Sequence, residues 1–552
     1  MTGQAGEKLY GEPVELRSNF IYFTSWKYVR PGALAWKVDL PPDADQARRD
    51  AVFWHKGDGG QLARFETYDM PRGVRLVAQK AAKKPLPIPD VVLTVIHEDG
   101  LYRAWYAINP CGRDEPFSTN DRILPGTNQH LCYAESSDGL NWRTPPVGLF
   151  EYAGGRDNGI VFRGDVNGSA RGFHGGCVFR DPSQGAGPDE QYKMIYLGAI
   201  TDQEWEAFER KHPGQADSMA RRNDVGGFRC VVGVFGAVSP DGIHWRQLDE
   251  PLMIQHADTM NTCYYDLELR KYVAYVRAWQ ASPAAGAAVQ DRDSWIGVAQ
   301  RSIGRAYSDD FRHFTKPEIV VAPGADMPPC HVWYANAKTT LPGCPDQHVM
   351  FPWLWKTDSE TNEVHLFSSP TGEVWTKVPG GPVLEEGPPG QPDGGFTSCA
   401  VNLLEYPGDL WGIPYYARPY PHSYPGQDVK SRKGLFPGLE PVSGLATWPK
   451  GRLVAMECDQ EGQFSTVHVV PRGNRIRLNA TVRPSGCVKV ALRALGKGDV
   501  EGRSFDDTDP LVGDGLAMPV TWGGQADLNC GGAPVMLRFH LRFARLFGIE
   551  FF

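Results

Sequence analysis

A short phrase recurs four times along the chain and decides the fold. Its copies are Ser136-Ser137-Asp138-Gly139-Leu140-Asn141-Trp142, Ser239-Pro240-Asp241-Gly242-Ile243-His244-Trp245, Ser308-Asp309-Asp310-Phe311-Arg312-His313-Phe314 and Ser368-Ser369-Pro370-Thr371-Gly372-Glu373-Val374-Trp375. A unit repeated at irregular intervals of several tens of residues indicates repeated supersecondary structure. Asp-Gly favours a tight turn, and an aromatic residue just beyond it would fill the gap between neighbouring units. We therefore interpret the phrase as structural.

Each copy of the phrase ends a series of short apolar runs. The runs before the second copy are Cys177-Val178-Phe179, Tyr192-Lys193-Met194-Ile195-Tyr196-Leu197 and Val231-Val232-Gly233-Val234-Phe235. Such runs are rich in β-branched and aromatic residues and are bounded by Gly, Pro and Asp, which is typical of strands separated by turns. The same order occurs five times between Val91 and Trp448. The sequence therefore predicts an all-β protein with a five-bladed β-propeller.

Composition restricts the functional classes. The chain has 552 residues, with 62 Gly, 45 Pro and a formal charge of -8 that forms no basic block, so a nucleic-acid partner is not expected. No apolar run is long enough to span a bilayer, and the first residues do not resemble a signal peptide, so a cytoplasmic protein without a membrane partner is expected. The 11 cysteines are scattered singly, which favours reduced, buried thiols. A homo-oligomer remains open.

Two domain boundaries follow from changes in pattern. Residues 1–86 carry mixed patterns and are predicted to be an N-terminal extension packed on the propeller, which spans 87–450. From 451 to 552 the alternating runs, among them Val488-Lys489-Val490-Ala491-Leu492, predict a C-terminal β-sandwich.

This arrangement resembles the glycoside hydrolases of family 32, whose propeller is shared by families 43 and 68. The resemblance rests on the Ser-x-Asp-Gly-x-x-Trp turns and the order of domains, and it implies a hydrolase acting on furanosides. Arg180-Asp181-Pro182 is similar to that family's Arg-Asp-Pro, whose Asp grips sugar hydroxyls. The family's Trp-x-Asn-Asp-Pro is absent, and Glu457-Cys458, which matches its Glu-Cys acid motif, lies in the C-terminal domain.

Propeller geometry provides a rule for finding the site. The first strand of each blade starts near the central axis at one mouth, so the residues just before these strands should face a shared funnel. These positions hold Asp90, His174, Asp258, His331 and Asp393. Glycoside hydrolysis needs two carboxyl groups across the scissile bond, and the three Asp residues meet that need. We therefore predict Asp90, Asp258 and Asp393 as catalytic residues.

The resemblance suggests individual roles for these residues. Asp90 would be the nucleophile or base, Asp258 would occupy the place of the general acid, and Asp393 would stabilise or modulate, with an exchange between the last two left open. His174 and His331 would hydrogen-bond sugar hydroxyls or tune the acids. Asp181 aligns with the turn after an innermost strand, at the opposite rim, so a turn role competes with substrate binding there.

The second strand of each blade returns toward the mouth, and its last residues should form an outer ring. This ring is predicted to contain Asn109, Arg277, Trp279, Trp353, Trp355, Lys356, Tyr416 and Arg418. Aromatic faces suit sugar rings, and arginines hold hydroxyls or a carboxylate, so Arg277, Trp279, Trp353 and Arg418 are predicted to bind substrate. Core packing is the competing explanation for each Trp.

An insertion in the second blade, Asp202-Gln203-Glu204-Trp205-Glu206-Ala207-Phe208-Glu209-Arg210, is predicted to be a helix that shapes the pocket. The predicted function is a glycosidase with a carbohydrate substrate and no cofactor, apart from an optional structural Ca²⁺. One alternative is a metal-dependent carbohydrate lyase or hydrolase with His174, His331 and an Asp as ligands. The other is a carbohydrate-binding propeller without activity.

Overall fold

The computed structural model describes residues 13–31, 33–37, 55–56, 62–68, 71–88, 91–108, 129–166, 169–217, 221–225, 228–258, 260–281, 299–422 and 439–552. These residues are nearly all in strands and turns, which confirms the predicted all-β class. The chain divides into two compact units. One is Lys80–Pro449, and the other combines Met1–Gln79 with Lys450–Phe552.

The strands before the first unit correct one predicted domain boundary. They are β1 (Val14–Glu15), β2 (Phe20–Tyr22), β3 (Ala33–Lys37), β4 (His55–Lys56), β5 (Leu62–Tyr68) and β6 (Arg75–Ala78). Strands β1, β2 and β6 hydrogen-bond within the sheet of the C-terminal residues. The N-terminal segment therefore belongs to the second unit and is not the predicted extension of the propeller. No local pattern could show this, because the pairing joins residues more than 350 positions apart.

The first unit is a ring of five antiparallel blades, the fourth of which is divided into two sheets. The strands of blades one to three are β8 (Val91–Glu98), β9 (Leu101–Ile108), β10 (His130–Ser136), β11 (Ile160–Phe162), β12 (Asp165–Val166), β13 (Ser169–Ala170), β14 (His174–Arg180), β15 (Tyr192–Ala199), β16 (Arg221–Val225), β17 (Phe228–Ser239), β18 (Arg246–Gln247), β19 (Thr262–Asp266), β20 (Lys271–Ala281), β21 (Ala299–Ser308) and β22 (Glu318–Val321). Blade two also carries helix α1 (Asp202–Lys211), which confirms the predicted helical insertion, and a 3-10 turn at Pro188–Glu190.

The last two blades show how the ring closes. Their strands are β23 (His331–Ala335), β24 (Lys338–Leu341), β25 (Cys344–Met350), β26 (Trp353–Lys356), β27 (Thr361–Val364), β28 (Phe367–Ser369), β29 (Thr376–Lys377), β30 (Phe396–Cys399), β31 (Leu404–Tyr406), β32 (Leu410–Arg418) and β33 (Val442–Pro449). Strand β7 (Ala82–Pro85) pairs with β33 and is the outermost strand of blade five. A strand that precedes blade one thus completes the last blade.

Polar side chains, most of them buried, join each blade to the next around the axis. The hydrogen bonds run from the Val178 N–H to Thr94 Oγ1, from Asn261 Nδ2 to the Gly175 carbonyl, from Thr262 Oγ1 to Asn336 Oδ1, from Asn362 Nδ2 to the Thr397 carbonyl and from Asn402 Nδ2 to the Val95 carbonyl. They cross all five junctions in order. These hydrogen bonds connect the fifth blade back to the first, so the ring of five blades is closed, as predicted.

The recurring phrase forms the turn that its residues predict. In the first copy, Asp138 Oδ1 accepts the N–H groups of Leu140 and Asn141, and Trp142 Nε1 donates to the Gly139 carbonyl at 3.0 Å. In the second copy the turn glycine Gly242, at φ +78°, packs on the Trp105 ring of the preceding blade. In this copy the glycine makes the close contact between blades, whereas in the fourth copy Trp375 packs edge-on against Tyr275 of the preceding blade.

The second unit is the predicted β-sandwich. Its remaining strands are β34 (Val454–Ser465), β35 (Val469–Val470), β36 (Ile476–Ala494), β37 (Gly498–Asp499), β38 (Gly513–Pro519) and β39 (Val535–Phe551). Strands β34 and β36 both lose register with β39 around Phe543, which has a positive φ of 44°. This shared irregularity interrupts the pairing of both strands with β39 at one level, as a β-bulge does. Glu457 is held by Arg75 and Arg545 here, away from any propeller role.

Two further expectations can be compared with the described residues. None of the cysteines in the described part of the chain forms a disulfide, and most of them are buried, in line with reduced thiols. Among the described residues, no helix has the length and apolar character needed to cross a membrane.

Candidate functional site

The candidate site lies at the mouth where the first strands of the blades begin. Strand β14 begins at His174, and Asp258 stands four residues before β19. Arg277 lies in the second strand of blade three and Tyr334 in the first strand of blade four. Three consecutive blades thus place side chains around one carboxylate.

Asp258 is held by two basic side chains. Its Oδ1 lies 3.0 Å from His174 Nε2, and its Oδ2 accepts a hydrogen bond from Arg277 Nη1 at 2.6 Å. The Arg277 side chain has no exposed surface, whereas 31% of the Asp258 side chain is exposed. Burial would raise the pKa of Asp258, but Arg277, His174 and Arg301 hold this pKa well below its ordinary value. Asp258 is therefore an anion at neutral pH.

The charge of Asp258 has a consequence for its predicted role. A general acid must carry a proton at the working pH, and enzymes raise the pKa of such a carboxyl group. The pKa of Asp258 shifts in the opposite direction, because Arg277, His174 and Arg301 together outweigh the effect of burial. The environment fits a nucleophile, a base or an electrostatic stabiliser, and it does not fit the general-acid role that the sequence suggested.

Arginine and aromatic rings form a second layer around Asp258. Arg277 Nη2 donates to the Tyr334 carbonyl at 2.9 Å, and its guanidinium carbon lies 4.6 Å from the centre of the Tyr334 ring. The guanidinium carbon of Arg301 lies 4.3 Å from the Trp355 ring, 4.8 Å from Tyr334 and 5.6 Å from Trp279. These are cation–π distances. The arrangement holds two positive charges and three aromatic faces beside one carboxylate.

His422 extends this layer toward blade five. The ring atom Nε2 of His422 lies 3.0 Å from the Tyr334 hydroxyl, and the backbone N–H of His422 donates to the Glu360 carbonyl at 2.8 Å. Burial lowers the pKa of His422, and Arg418 and Arg301 lower it further. The imidazole is therefore neutral at pH 7 and can exchange hydrogen bonds with hydroxyl groups.

The insertion of blade two reaches the same region. Helix α1 begins with a capping box, in which Thr201 and Glu204 bond each other's backbone N–H groups, and it buries Trp205 on one face. Six residues after the helix, Asp217 Oδ2 accepts the His256 N–H at 3.4 Å. The His256 ring stacks on Trp279 at 5.4 Å. The insertion thus supports one wall of the site.

Four other predicted binding residues can now be placed. Trp279 lies 6.0 Å from the Arg277 guanidinium, and Trp353 stacks on Tyr334 at 6.2 Å. Arg418 Nη2 donates to the His422 carbonyl at 3.3 Å, so it borders the site. His331 Nε2 lies 3.8 Å from Asp358 Oδ1.

Two predicted residues occupy different surroundings. Asp393 forms an ion pair with Lys83 of β7, the outermost strand of its blade. Asp181 accepts a hydrogen bond from Tyr272 at 2.6 Å and pairs with Lys193 at 2.9 Å, and its side chain is fully buried. It follows the last residue of β14, roughly 20 Å along that strand from His174. The structure therefore supports the turn role for Asp181 and does not support substrate binding.

Asp90 and Asn109 lie outside the described residues, so their predicted roles stay predictions. Sequence reasoning missed Arg301, Tyr334 and His422. Arg301 is the third residue of a third strand, Tyr334 lies inside a first strand, and His422 follows the end of a second strand, so the rule based on first-strand starts and second-strand ends did not select them. For Tyr334, the neighbouring Trp333 was a signal of an aromatic-rich strand.

The described residues that come close enough to share a metal ion are Cys330, His331 and Asp358. This set of residues differs from the metal site of the alternative prediction, in which His174, His331 and an Asp were the ligands. His174 faces Asp258, whereas His331 faces Asp358.

No family model matches the chain, and no curated protein matches it in sequence. The solved structures similar to it include a family 32 beta-fructofuranosidase of Bombyx mori, which is 10% identical with a TM-score of 0.37 and covers 88% of this chain and 94% of its own. A thermostable family 43 glycoside hydrolase is 12% identical, with a TM-score of 0.39 and coverages of 66% and 92%. An N-acetylgalactosamine deacetylase of F. plautii, in complex with a blood group B trisaccharide, is 14% identical, with a TM-score of 0.35 and coverages of 68% and 95%. At such low sequence identities and TM-scores, the substrates and catalytic residues of these proteins cannot be assigned to this chain.

Proposed function

We propose that the propeller is a glycosidase that cleaves furanosides, of the fructofuranoside or arabinofuranoside type, at the mouth built around Asp258. The observation that carries this proposal is an ionised carboxylate held between His174 and Arg277 beside several aromatic faces. Aromatic faces pack on the C–H faces of sugars, while arginine and neutral histidine bind hydroxyl groups. The furanose preference comes from the resemblance of the turns and domain order to family 32.

Asp258 acts in this proposal as nucleophile, base or stabiliser of positive charge that develops on the sugar. The second carboxyl group is assigned to Asp90, on the basis of its place before the first strand of blade one. Two carboxyl groups supply both the attacking group and the proton donor, so the reaction needs no cofactor. The wall that follows helix α1 would favour short or terminal sugars, and the proposed location is the cytoplasm.

The test is hydrolysis of nitrophenyl furanosides, nitrophenyl pyranosides and fructo-oligosaccharides by the full chain and by Asp90→Asn, Asp258→Asn and Asp393→Asn. We expect turnover of one furanoside class and losses of about 10²–10⁴-fold for the first two variants. Asp393→Asn is the matched control, because Asp393 pairs with Lys83 at the outer strand. Full activity of Asp258→Asn, or cleavage of none of the sugars, would exclude the proposal.

One observation favours a second candidate, a sugar-binding site without turnover. Both oxygens of Asp258 already have basic partners, and such pairing is also what a structural carboxylate shows. Isothermal titration with the same sugars separates the two functions. Binding that needs Arg301 and Trp355 but is accompanied by no hydrolysis would support the binding function.

A further inference from the structure

A cluster of three metal-ligating side chains lies in blade four and has no role in the proposed hydrolysis. Cys330 closes the turn before β23, His331 is the first residue of β23, and Asp358 lies two residues after the end of β26. His331 and Lys356 are partners in the register of β23 with β26. This pairing therefore brings the start of β23 beside the end of β26.

Backbone hydrogen bonds keep the two segments together at this point. The Cys330 carbonyl accepts the Thr357 N–H at 2.8 Å and the Thr357 hydroxyl at 2.9 Å. The Ser359 N–H donates to Asp358 Oδ1 at 3.0 Å, which orients that carboxylate. Such outer contacts hold a ligand in position before a metal ion arrives.

The ligand atoms have the spacing that a single ion requires. One donor atom from each of the three residues lies within 4.8 Å of the others, and His331 Nε2 is 3.8 Å from Asp358 Oδ1. Ligands of a tetrahedral ion with bonds of about 2.0–2.3 Å lie roughly 3.3–3.8 Å apart. Contraction of the longest separation by about 1.0–1.5 Å would close the cluster around an ion.

The donor set indicates which ion would bind. A thiolate, an imidazole and a carboxylate together suit zinc, whereas calcium and magnesium prefer oxygen ligands. Cys330 and His331 are half-buried and Asp358 is exposed, so the cluster is reachable from solvent and keeps room for a fourth ligand.

We propose that Cys330, His331 and Asp358 form a zinc site with three protein ligands and one open position. Binding displaces the thiol proton of Cys330 to solvent and leaves the oxidation states unchanged. A bound ion would also restrain the hairpin that contains Glu360. The Glu360 carbonyl accepts a hydrogen bond from the backbone N–H of His422 at the candidate sugar site. This proposal does not depend on the glycosidase proposal, because its readouts are metal affinity and spectra.

The experiment uses the full chain, stripped with a chelator and titrated with Zn²⁺ against a chromophoric competitor, and with Co²⁺ followed by absorption. We expect one equivalent to bind and Co²⁺ to give a thiolate charge-transfer band. Cys330→Ser should abolish the band, and His331→Gln and Asp358→Asn should weaken Zn²⁺ binding by about tenfold or more. Cys487→Ser, which changes a half-buried thiol in the other unit, should bind like the parent.

Circular dichroism checks that each variant folds. Asp358→Asn provides the variant least disturbing to the fold, because the side chain is 59% exposed. The proposal is wrong if the stripped protein binds no Zn²⁺. It is also wrong if Cys330→Ser and Asp358→Asn keep the parent affinity, which would indicate adventitious binding elsewhere.

Discussion

The pair formed by Asp258 and Arg277 should be strongly coupled, and a double-mutant cycle measures that coupling. Asp258→Asn removes the charge that faces the wholly buried Arg277 guanidinium, which keeps its hydrogen bond to the Tyr334 carbonyl at 2.9 Å. Removing one partner of a fully buried pair costs about 3–5 kcal/mol. Because Asp258 is 31% exposed, water recovers part of this loss, and we expect about 2–3 kcal/mol in the free energy of unfolding.

The cycle compares Asp258→Asn, Arg277→Met and the double variant by urea unfolding. The coupling free energy should be about 2 kcal/mol, since the two residues share one hydrogen-bond network. Lys271 and Asp309 are the control pair, with Lys271 in the same strand as Arg277, a distance of 2.7 Å and exposed fractions of 42% and 81%. Their coupling should stay below about 1 kcal/mol. Equal coupling in the two cycles would refute the reasoning that burial strengthens the Asp258 pair.

Two further predictions concern the scaffold. Gly242→Ala should lower the free energy of unfolding by about 2–5 kcal/mol, because a Cβ at φ +78° would lie 2.6 Å from the Trp105 ring, whereas Gly100→Ala, at φ +74° with open space, should lose only about 1–2 kcal/mol. Equal losses in urea melts would show that contact with Trp105 does not matter. Burial would raise the pKa of Asp181, but hydrogen bonds from Tyr272 and Lys193 bring it below its ordinary value. The parent should therefore exceed Asp181→Asn in stability at pH 7, and thermal melts should show this difference shrinking as the pH falls through about 4 and below. A constant difference from pH 7 to pH 2 would contradict the assignment.

Local patterns in the sequence were sufficient to predict most of the fold. Five series of apolar runs, each bounded by turn residues, predicted the blades, and the capping residues Thr201 and Glu204 begin the helix that the insertion predicted. Strand β7 was missed because Ala82-Lys83-Lys84-Pro85 has no β-branched or aromatic residue. It is a strand because β33 offers it an unpaired edge, which is a property of the closed ring.

Some residues of the candidate site were predicted from the sequence and others were not, and the physical reason differs from residue to residue. His174, Asp258 and Arg277 meet because strand starts and strand ends converge on one mouth, and that rule can be applied to a sequence. The same rule placed Asp393 at the mouth. The structure pairs it with Lys83, since a residue three positions before a strand can still turn outward.

The sequence by itself predicted five β-blades and a β-sandwich, because turn chemistry and apolar periodicity are local properties, whereas the N-terminal strands of the sandwich emerged only from the structure. Tertiary structure alone decided the partner of each charge: Arg277 and His174 for Asp258, Lys193 for Asp181 and Asp358 for His331. Ionisation depends on neighbours that only folding brings near, such as Arg277 from the second strand of the same blade and His174 from the preceding blade. The lowered pKa of Asp258 is therefore a result of the fold.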